Sequence, residues 1–521
     1  MRFGSGVGIV RILLINSNRK EDLLAAPPLG ICYVAAAAES AGHEVSVLDL
    51  CFAPRNFGRK LEQAIKDFHP EIIGISVRNI DNVNMLHSIN YLPEIVQIVQ
   101  QIRKCTNVPV VVGGSGASLM PSRILRLLKA DYIVVSDGEA SFVRLLEALE
   151  KGDSPAGIPG VGTMENGKFI LTKPQLPDFN SIKTPDLGKW IDLRPYLKIG
   201  SSYNIQTKRG CRQHCIYCTY NQSIEGNRLR LRSPVDVVDE IQDALFRYGP
   251  KSFEFVDSVF NDPLDHSAAV LEEIARRPWK AEFTAMGMNP KNLDGTYLRL
   301  MWRAGFRAFM ITPESASPTM IRSYRKGFDP DEVFHAAEAI NRTEFAAWWF
   351  FMIGGPGETN KTLKESLDFA LKYLQKNGRP VTHVAHFFTG VRVYPGTTLW
   401  DIACREGFVS ADTDAATALW YLSEDLDLDE AVKQMSEAAA SCPEIYLGFD
   451  ERVLVFSKVA AFVFKMLRLP RPYWRYFRAA NSLGLSTGIR FMFRPRDIAG
   501  LLKDSLRKQG YAGRLLRDTV S

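Results

Sequence analysis

The sequence has no long apolar run. No stretch approaches the roughly 20 uninterrupted apolar residues that a membrane-spanning helix needs, and Lys458 and Lys465 interrupt the most apolar segment, Val453–Leu469. The first ten residues are rich in glycine and lack the basic region and apolar run of a secretory signal peptide. We therefore expect a soluble protein.

Cysteine is also scarce. The 521 residues include 8 cysteines, too few for a disulfide framework. Five of them are scattered: Cys32, Cys51, Cys105, Cys404 and Cys442. This usage favours a reducing cytoplasm, where thiols stay reduced. The length allows two or three domains with full cores.

The other three cysteines, Cys211, Cys215 and Cys218, form a CxxxCxxC run just after a predicted strand. Iron–sulfur clusters are ordinarily closed by four cysteine thiolates, so three would leave one iron open to a small molecule. A zinc site would need a fourth Cys or His at its own spacing, and His214 inside the loop does not supply it. The loop favours a cluster over zinc or three chance cysteines.

The first 150 residues alternate strands with helices and predict a first domain with a doubly wound parallel α/β sheet. The predicted strands are Val10–Asn16, Glu44–Asp49, Glu71–Val77, Val108–Gly113 and Tyr132–Val135, with helices such as Leu29–Ala41 and Met85–Lys104 between them.

Ligands of such sheets sit at the carboxyl ends of the strands. The candidate residues there are Ser76, Arg78, Asn79, Gly113, Gly114, Ser115, Gly138 and Glu139. Two adjacent glycines allow close backbone approach to a ligand, although tight turning explains them equally well.

Residues 151–195 are rich in Pro, Gly, Asp and Lys and predict a linker. The pattern restarts in a second domain, residues 196–410. Its predicted strands are Tyr203–Thr207, Ser252–Asp257, Ala281–Met286, Phe306–Thr312, Ala346–Ile353 and Thr382–Phe388. Six such units predict a partial (β/α)6 barrel, and the cysteine loop follows its first strand, where a functional loop belongs.

Residues 411–521 predict a mainly helical, basic C-terminal region. From Glu451 onward, 15 Lys and Arg residues stand against 4 Asp and Glu. This excess is compatible with contact to a membrane surface, with an acidic substrate, or with a solvated face. Nucleic-acid binding is not expected, because no recognisable module accompanies the charge.

Motifs in both domains resemble those of one family. Residues 203–408 resemble the radical S-adenosylmethionine (SAM) superfamily. The resemblance lies in the cysteine loop and in the segments that begin at Arg232, Phe255, Pro313, Phe351 and Arg392. The segments 27–30, 41–45, 74–78, 113–114 and 137–139 resemble motifs of a Rossmann-like cobalamin-binding domain, and the resemblance covers nearly all of the first 150 residues. The chain is thus similar to the cobalamin-dependent radical SAM enzymes.

This resemblance implies a 4Fe–4S cluster on the three loop cysteines, with SAM chelating the open iron and cleaved by one electron to a 5′-deoxyadenosyl radical. It implies that Tyr217 lines the site, that Asp257 or Glu314 accepts hydrogen bonds from SAM, and that Arg392 pairs with its carboxylate. Ile353, Gly354 and Gly355 would form a shelf for adenine. Strand-end acids serve equally well as helix caps, and His383 and His386 on the sixth strand are as compatible with a core as with a site.

The resemblance also implies that the cobalamin tail lies against Ser76, Gly113 and Gly114. The family's Asp-x-His-x-x-Gly loop after the first strand has no counterpart here, because residues 16–21 contain no His. His69 precedes the third predicted strand and is expected at the surface. The lower face of cobalt would then lack a His ligand, with Arg78 or Asn79 the nearest side chains.

The function implied is methyl transfer from SAM, through methylcobalamin, to an unactivated carbon of a biosynthetic intermediate. The alternatives are a cyclase or rearrangement enzyme, a methylthiotransferase, or a sensor without turnover. The expected partners are a small-molecule or peptide substrate and an electron donor such as flavodoxin or ferredoxin, in the cytoplasm.

Overall fold

A computed structural model describes residues 8–19, 25–53, 55–374, 383–410, 412–442, 444–447, 462–469, 473–476, 500–502 and 504. Most of the predicted basic C-terminal region lies outside these ranges, so its helical character stays a prediction. Within the described part of the chain, no helix is long and apolar enough to cross a membrane.

The first sheet begins with five parallel strands in the order β2-β1-β3-β4-β5. Its elements are β1 (Arg11–Asn16), α1 (Leu29–Ser40), β2 (Glu44–Asp49), α2 (Phe57–Phe68), β3 (Ile72–Ser76), α3 (Leu92–Cys105), β4 (Val110–Gly113), α4 (Ser115–Leu119), α5 (Pro121–Leu128), β5 (Tyr132–Val134) and α6 (Gly138–Lys151). Strands of a parallel sheet are covered on both faces and therefore read as Val- and Ile-rich runs. Here α1 and α6 cover one face, and α2, α3 and α5 the other. The predicted doubly wound domain is confirmed.

The predicted linker contains structure that the sequence did not indicate. Strands β6 (Val161–Glu165) and β7 (Lys168–Leu171) form an antiparallel hairpin that extends the first sheet beyond β5. Two short helices follow, α7 (Leu187–Trp190) and α8 (Arg194–Ile199). The side chains of β7 are largely accessible, so the strand lacks the apolar alternation by which strands are recognised. The domain boundaries themselves stay predictions.

The second domain is an open barrel of parallel strands. Its elements are β8 (Tyr203–Ile205), β9 (Lys208–Arg209), β10 (Arg230–Leu231), α9 (Pro234–Tyr248), β11 (Ser252–Phe255), α10 (Leu264–Arg276), β12 (Glu282–Ala285), α11 (Gly295–Ala304), β13 (Ala308–Glu314), α12 (Pro318–Ser323), α13 (Pro330–Asn341), β14 (Ala346–Ile353), α14 (Asn360–Tyr373), β15 (Val384–Thr389), β16 (Val391–Arg392), α15 (Thr398–Arg405), β17 (Trp420–Tyr421), α16 (Leu428–Ser441) and β18 (Ile445–Leu447).

The barrel strands run β8-β11-β12 and then β13-β14-β15-β18. Parallel bridges from Phe283 to Phe306 and from Met288 to Ile311 join the two groups. All six predicted strands are present, with ends that differ by up to two residues. The seventh strand, β18, was not predicted.

Side-chain burial alternates along the barrel strands and shows which face each residue occupies. On β14, Trp349, Phe351 and Ile353 are fully buried beneath the helices, whereas Trp348, Phe350 and Met352 between them remain partly accessible. Because successive side chains of a strand point to opposite faces, Trp348, Phe350 and Met352 point into the interior of the barrel. The barrel therefore encloses an incompletely filled lumen.

Candidate active site

A glycine turn aims the cysteine loop into the barrel mouth. Gly210 has φ of +89°, and a Cβ on it would lie 2.1 Å from the carbonyl oxygen of Arg228. Only glycine fits this approach. Cys211 follows at once, and its N–H donates to the carbonyl of Gly226 at 3.1 Å.

Two backbone hydrogen bonds anchor the middle of the cysteine loop. The N–H of Ile216 donates to the carbonyl of Tyr324 at 3.2 Å, and its carbonyl accepts from the N–H of Leu399 at 2.8 Å. Cys211 and Cys215 are buried, and Cys218 is partly buried. Burial, aided by the neighbouring Cys218 and Cys215 thiols, raises the pKa of Cys211 to about 12. The three thiols are thus close enough to influence one another.

The donor set of this loop fits an iron–sulfur cluster. Among the described residues, no group of three or more His, Cys, Asp or Glu gathers around a single metal-ion position. A four-iron cluster takes its cysteine ligands on separate irons, and the loop brings three thiols together that could each bind one iron. Thiolates are also the soft ligands that such clusters require.

Tyr217 and Glu314 meet beside the cysteine loop, together with a lysine that the sequence did not indicate. The Tyr217 hydroxyl donates to Oε1 of Glu314 at 3.1 Å, and Nζ of Lys326 donates to Oη of Tyr217 at 3.0 Å. Lys326 and Glu314 lie 3.5 Å apart as an ion pair. Burial raises the pKa of Glu314, and Lys326 partly offsets that rise. Glu314 is therefore already engaged within the protein.

Asp257 fastens the strand that leads into the loop. Its Oδ1 accepts from the backbone N–H of Thr207 at 2.8 Å and of Lys208 at 3.2 Å, and Oδ2 accepts from the Thr207 hydroxyl at 2.7 Å. Both oxygens thus hold the start of the cysteine loop, and the hydrogen bonds expected from SAM at Asp257 stay a prediction. Sequence alone cannot show that β8 and β11 are neighbours.

The glycines predicted to form a shelf for adenine lie in a turn that closes around the buried carboxylate of Glu358. Gly354 and Gly355 donate their N–H groups to Oε2 of Glu358 at 2.5 and 3.2 Å. A Cβ on Gly355 would lie 2.2 Å from the Tyr324 ring, which explains its glycine. Burial raises the pKa of Glu358 to about 8. Ile353 is buried just before this turn.

Arg392 does not face the cysteine loop as a free cation. Its Nε donates to Oδ2 of Asp81 at 2.9 Å, and both side chains are almost fully buried. Its Nη atoms donate to the carbonyls of Val393 at 2.5 Å and Ala415 at 3.2 Å. Arg392 thus forms an ion pair to the first domain, because the fold brings the loop after β3 against β16, and its pairing with the SAM carboxylate stays a prediction.

The glycine pair after β4 permits contact between two loops of the first sheet. Gly114 has φ of +102°, and a Cβ on it would lie 2.7 Å from the carbonyl oxygen of Val77. The Ser115 hydroxyl donates to the carbonyl of Arg78 at 2.7 Å. Ser76 and Gly113 are paired at the ends of β3 and β4. These residues therefore lie together at one sheet edge, with the side chains of Arg78 and Asn79 exposed there.

Glu139 contacts the second domain. Its Oε1 accepts from Arg209 at 2.7 Å, while the neighbouring Asp137 pairs with both Arg209 and Arg230. Gly138, between these two acids, begins α6 and lies against Val34. The Asp-Gly-Glu sequence therefore joins the two domains through buried ion pairs, and its contact with a cofactor stays a prediction.

The histidines considered from sequence lie outside the cysteine loop's surroundings, His214 excepted. His69 is exposed, as expected. His383 is structural: its Nδ1 accepts from the N–H of Ala347 at 3.1 Å, and its Nε2 lies 2.9 Å from Oδ1 of Asn341. His386 is fully buried in the barrel, and burial lowers its pKa to about 3.

Two sequence-family models match the chain. The model of the B12 binding domain covers residues 21–146, and the model of the radical SAM superfamily covers residues 205–370. The first range starts after β1 and ends within α6, and the second starts at the last residue of β8 and ends within α14. The chain therefore carries a B12-binding domain followed by a radical SAM domain.

Two methyltransferases are similar in sequence to this chain over more than two thirds of its length. An uncharacterised methyltransferase of Pyrococcus horikoshii is 28% identical over 390 residues, which are 72% of this chain and 78% of that protein. The cytidylyl-2-hydroxyethylphosphonate methyltransferase of Streptomyces wedmorensis is 24% identical over 464 residues, 77% of this chain and 83% of that protein.

One solved structure has the same fold over almost the whole length. The radical SAM methyltransferase TsrM from Kitasatospora setae, with cobalamin and a 4Fe–4S cluster bound, matches with a TM-score of 0.75 at 21% identity, over 97% of this chain and 100% of that chain. The chain belongs to the cobalamin-dependent radical SAM enzymes. The two matched domain models name vitamin B12 (cobalamin) and SAM as the ligands of their families.

Proposed function

We propose that this enzyme transfers a methyl group from SAM, through cobalamin, to a carbon of a small-molecule biosynthetic intermediate. One observation carries the proposal: the carboxyl-terminal edge of the first sheet faces the barrel mouth that holds the cysteine loop. Helix α4 packs against residues 220–224 just after the loop, and the Ser136 hydroxyl donates to the carbonyl of Ile224. Groups bound at the two edges would share one cavity.

Several contacts keep these two edges together. The buried pair of Asp81 and Arg392 and the cluster of Asp137, Glu139 and Arg209 bridge the domains. Buried ion pairs have specific geometry, and losing one partner is costly. They would therefore hold both cofactor edges at a fixed separation and exclude bulk water from the space between them.

The chain's own residues supply binding and orientation. Cys211, Cys215 and Cys218 would ligate the cluster, while Tyr217 and Lys326 cover one side of the loop. The glycine turn after β4 would admit the cobalamin tail. When bound, the cluster supplies an electron to SAM, and cobalamin carries the methyl group.

The lower face of cobalt would lack a protein histidine. His69 lies beyond the end of α2 and before β3 begins, and therefore at the amino-terminal edge of the sheet. Arg78 is exposed at the opposite edge, and a charged guanidinium has no lone pair to donate. Electron paramagnetic resonance of the cobalt(II) form should then show no nitrogen splitting; a clear splitting would refute this assignment.

The proposed activity is tested with anaerobically reconstituted enzyme, SAM carrying a deuterated methyl group, and candidate intermediates. We expect S-adenosylhomocysteine from the SAM that donates its methyl group, 5′-deoxyadenosine from the SAM that takes the cluster's electron, and a product that is heavier by the labelled methyl group. Product and 5′-deoxyadenosine should both disappear in Cys215→Ala, which would retain its corrin absorbance. SAM cleavage with an unmethylated but rearranged product would instead establish a cyclase or rearrangement enzyme. Absence of SAM cleavage and of methyl transfer would indicate a sensor.

A further inference from the structure

Three polar side chains form a row inside the barrel. The strand register pairs Glu254 of β11 with Asn204 of β8 on one side and with Thr284 of β12 on the other. Adjacent strands lie about 4.8 Å apart, so these three side chains project side by side from the same face of the sheet.

This row faces the lumen rather than the helices. The residues on either side of Glu254, Phe253 and Phe255, are fully buried and stack with Phe283 in the outer core. Because side chains alternate along a strand, Glu254 points the opposite way, and it remains partly accessible.

The polar row lacks partners within the protein. The Thr284 hydroxyl is buried without a hydrogen-bond partner. Within the described ranges, neither the Glu254 carboxylate nor the Asn204 amide makes a side-chain hydrogen bond or ion pair. A buried polar group without a hydrogen-bond partner destabilises the folded protein, so a ligand that satisfies the row would recover that cost.

Aromatic rings form another wall of the same lumen. Trp348 and Phe350 are nearly parallel, at 10° with ring centroids 5.5 Å apart. Phe350 and Phe388 stack at 22° and 5.9 Å, and Phe388 stacks on His386 at 21° and 4.0 Å. Phe350 and Phe388 are partly accessible, whereas Trp348 is also contacted by the Trp474 ring, with centroids 5.3 Å apart. Flat rings gain most from contact with such a surface.

The row opens toward the cobalamin-binding domain. The Arg78 guanidinium, at the edge of the first sheet, is near enough to lower the pKa of both Glu254 and Tyr220. Burial has the larger effect and raises the pKa of Glu254 to about 7. A molecule in the lumen would therefore lie between the aromatic wall and the first domain.

We propose that this lumen is the substrate site and that it takes a flat conjugated ring bearing an amine or ring N–H, whose hydrogen Glu254 accepts. This assignment rests on the proposed methyl transfer and adds the substrate class. A saturated ring would forgo the stacking. An acidic substituent beside Glu254 would meet a like charge, which is destabilising.

The test measures binding by calorimetry to the reconstituted holoenzyme with S-adenosylhomocysteine present. The probes are tryptamine, 2-cyclohexylethylamine, which lacks the aromatic ring, and indole-3-propionate, which replaces the amine with a carboxylate. We expect tryptamine to bind at least about tenfold more tightly than either comparator, a difference of about 1.4 kcal/mol.

Variants separate the two recognition elements. Glu254→Gln should remove the preference for the amine over the acid, and Phe350→Leu the preference for the aromatic over the saturated ring. The controls are Glu272→Gln on α10, an exposed acid, and Phe246→Leu on α9, a phenylalanine that is 72% exposed. Both controls should bind the probes as the unaltered enzyme does. Cluster and corrin absorbance report whether each variant is folded.

The outcomes distinguish a failure of the proposed substrate class from a failure of the proposed methyl transfer. Equal affinity for the three probes, no measurable binding at millimolar concentration, or a preference that survives both lumen variants overturns the substrate class. Methyl transfer from labelled SAM, measured separately on candidate intermediates, would then still stand. Conversely, selective tryptamine binding without any methyl transfer would overturn the proposed function and retain the lumen as a binding site.

Discussion

Replacing Asp81 with alanine would test whether the buried interdomain ion pair holds the two domains together. Asp81 receives the Nε hydrogen bond of Arg392 at 2.9 Å, and the side chains are 3% and 2% exposed. The sequence predicted a different partner for Arg392, the carboxylate of SAM. Variants of the two residues therefore distinguish an architectural role from a cofactor-binding role.

The expected loss of stability follows from the burial of this ion pair. Removing one partner of a buried ion pair leaves an uncompensated charge and costs about 3–5 kcal/mol. Asp81→Ala should therefore destabilise the interface by that amount. Arg392→Leu should cost at least as much, because the guanidinium also donates to the carbonyls of Val393, Leu419 and Ala415. The double variant should cost less than the sum, with a coupling of about 1–3 kcal/mol.

The assay is urea unfolding of the holoenzyme and of the three variants. Corrin absorbance would follow the first domain and cluster absorbance the second, since a two-domain chain need not unfold in one step. The matched control is Arg123→Ala. Arg123 pairs with Asp414 at 2.7 Å, but the two side chains are 44% and 49% exposed. An exposed pair contributes about 0–1 kcal/mol, so this variant should change stability little.

Two results would refute the reasoning. If Arg392→Leu weakens SAM binding more than about tenfold while Asp81→Ala leaves both stability and SAM affinity unchanged, Arg392 binds the cofactor as the sequence predicted. If the two substitutions add without coupling, the ion pair does not contribute to the interface. We expect instead that Asp81→Ala and Arg392→Leu have the same effect on SAM affinity: either both variants lower it or both leave it unchanged.

Three further predictions concern single residues. Burial raises the pKa of Glu358 to about 8, so the unfolded chain releases this proton at lower pH than the folded one. Stability should thus fall from about pH 5 to pH 8, by at most about 1.4 kcal/mol per pH unit; Glu358→Gln should flatten the urea-midpoint profile, and an unchanged slope would contradict this cause. Gly114→Ala, whose Cβ would crowd the neighbouring loop, should lose bound corrin but keep the cluster, whereas Gly58→Ala, with room on α2, should keep both; equal corrin retention would count against the glycine argument. Cys215→Ser should lose cluster absorbance and retain corrin, and Cys105→Ser should retain both; a cluster that survives Cys215→Ser would exclude this ligand.

Local patterns in the sequence were sufficient for the cysteine loop and the strands. The three cysteines of the CxxxCxxC run lie within eight residues, so the sequence alone shows that their thiols are neighbours, although Tyr324 and Leu399 anchor the loop. The strands of both domains show continuous or alternating apolar runs, and burial follows those patterns directly. Strand β7 of the hairpin was missed because its largely accessible side chains carry no such pattern.

The roles of charged side chains depended on contacts between distant residues. Arg392 meets Asp81, Asp257 meets Thr207, and Glu139 meets Arg209, each across a separation of at least 50 residues. A strand-end position predicts that a side chain lies near the barrel mouth. It does not reveal which neighbour the fold brings within hydrogen-bonding distance.

The sequence by itself determined the two domains, their order and the three thiols, because each is encoded by residues adjacent along the chain. Only the tertiary structure decided which charges remain available to a ligand. Arg392, Asp257 and Glu139 are occupied by partners from other strands, while the lumen row around Glu254 lacks them. The reason is physical: a buried charge is stabilised by whatever partner the folded chain places beside it, and parallel strand pairing sets that neighbour.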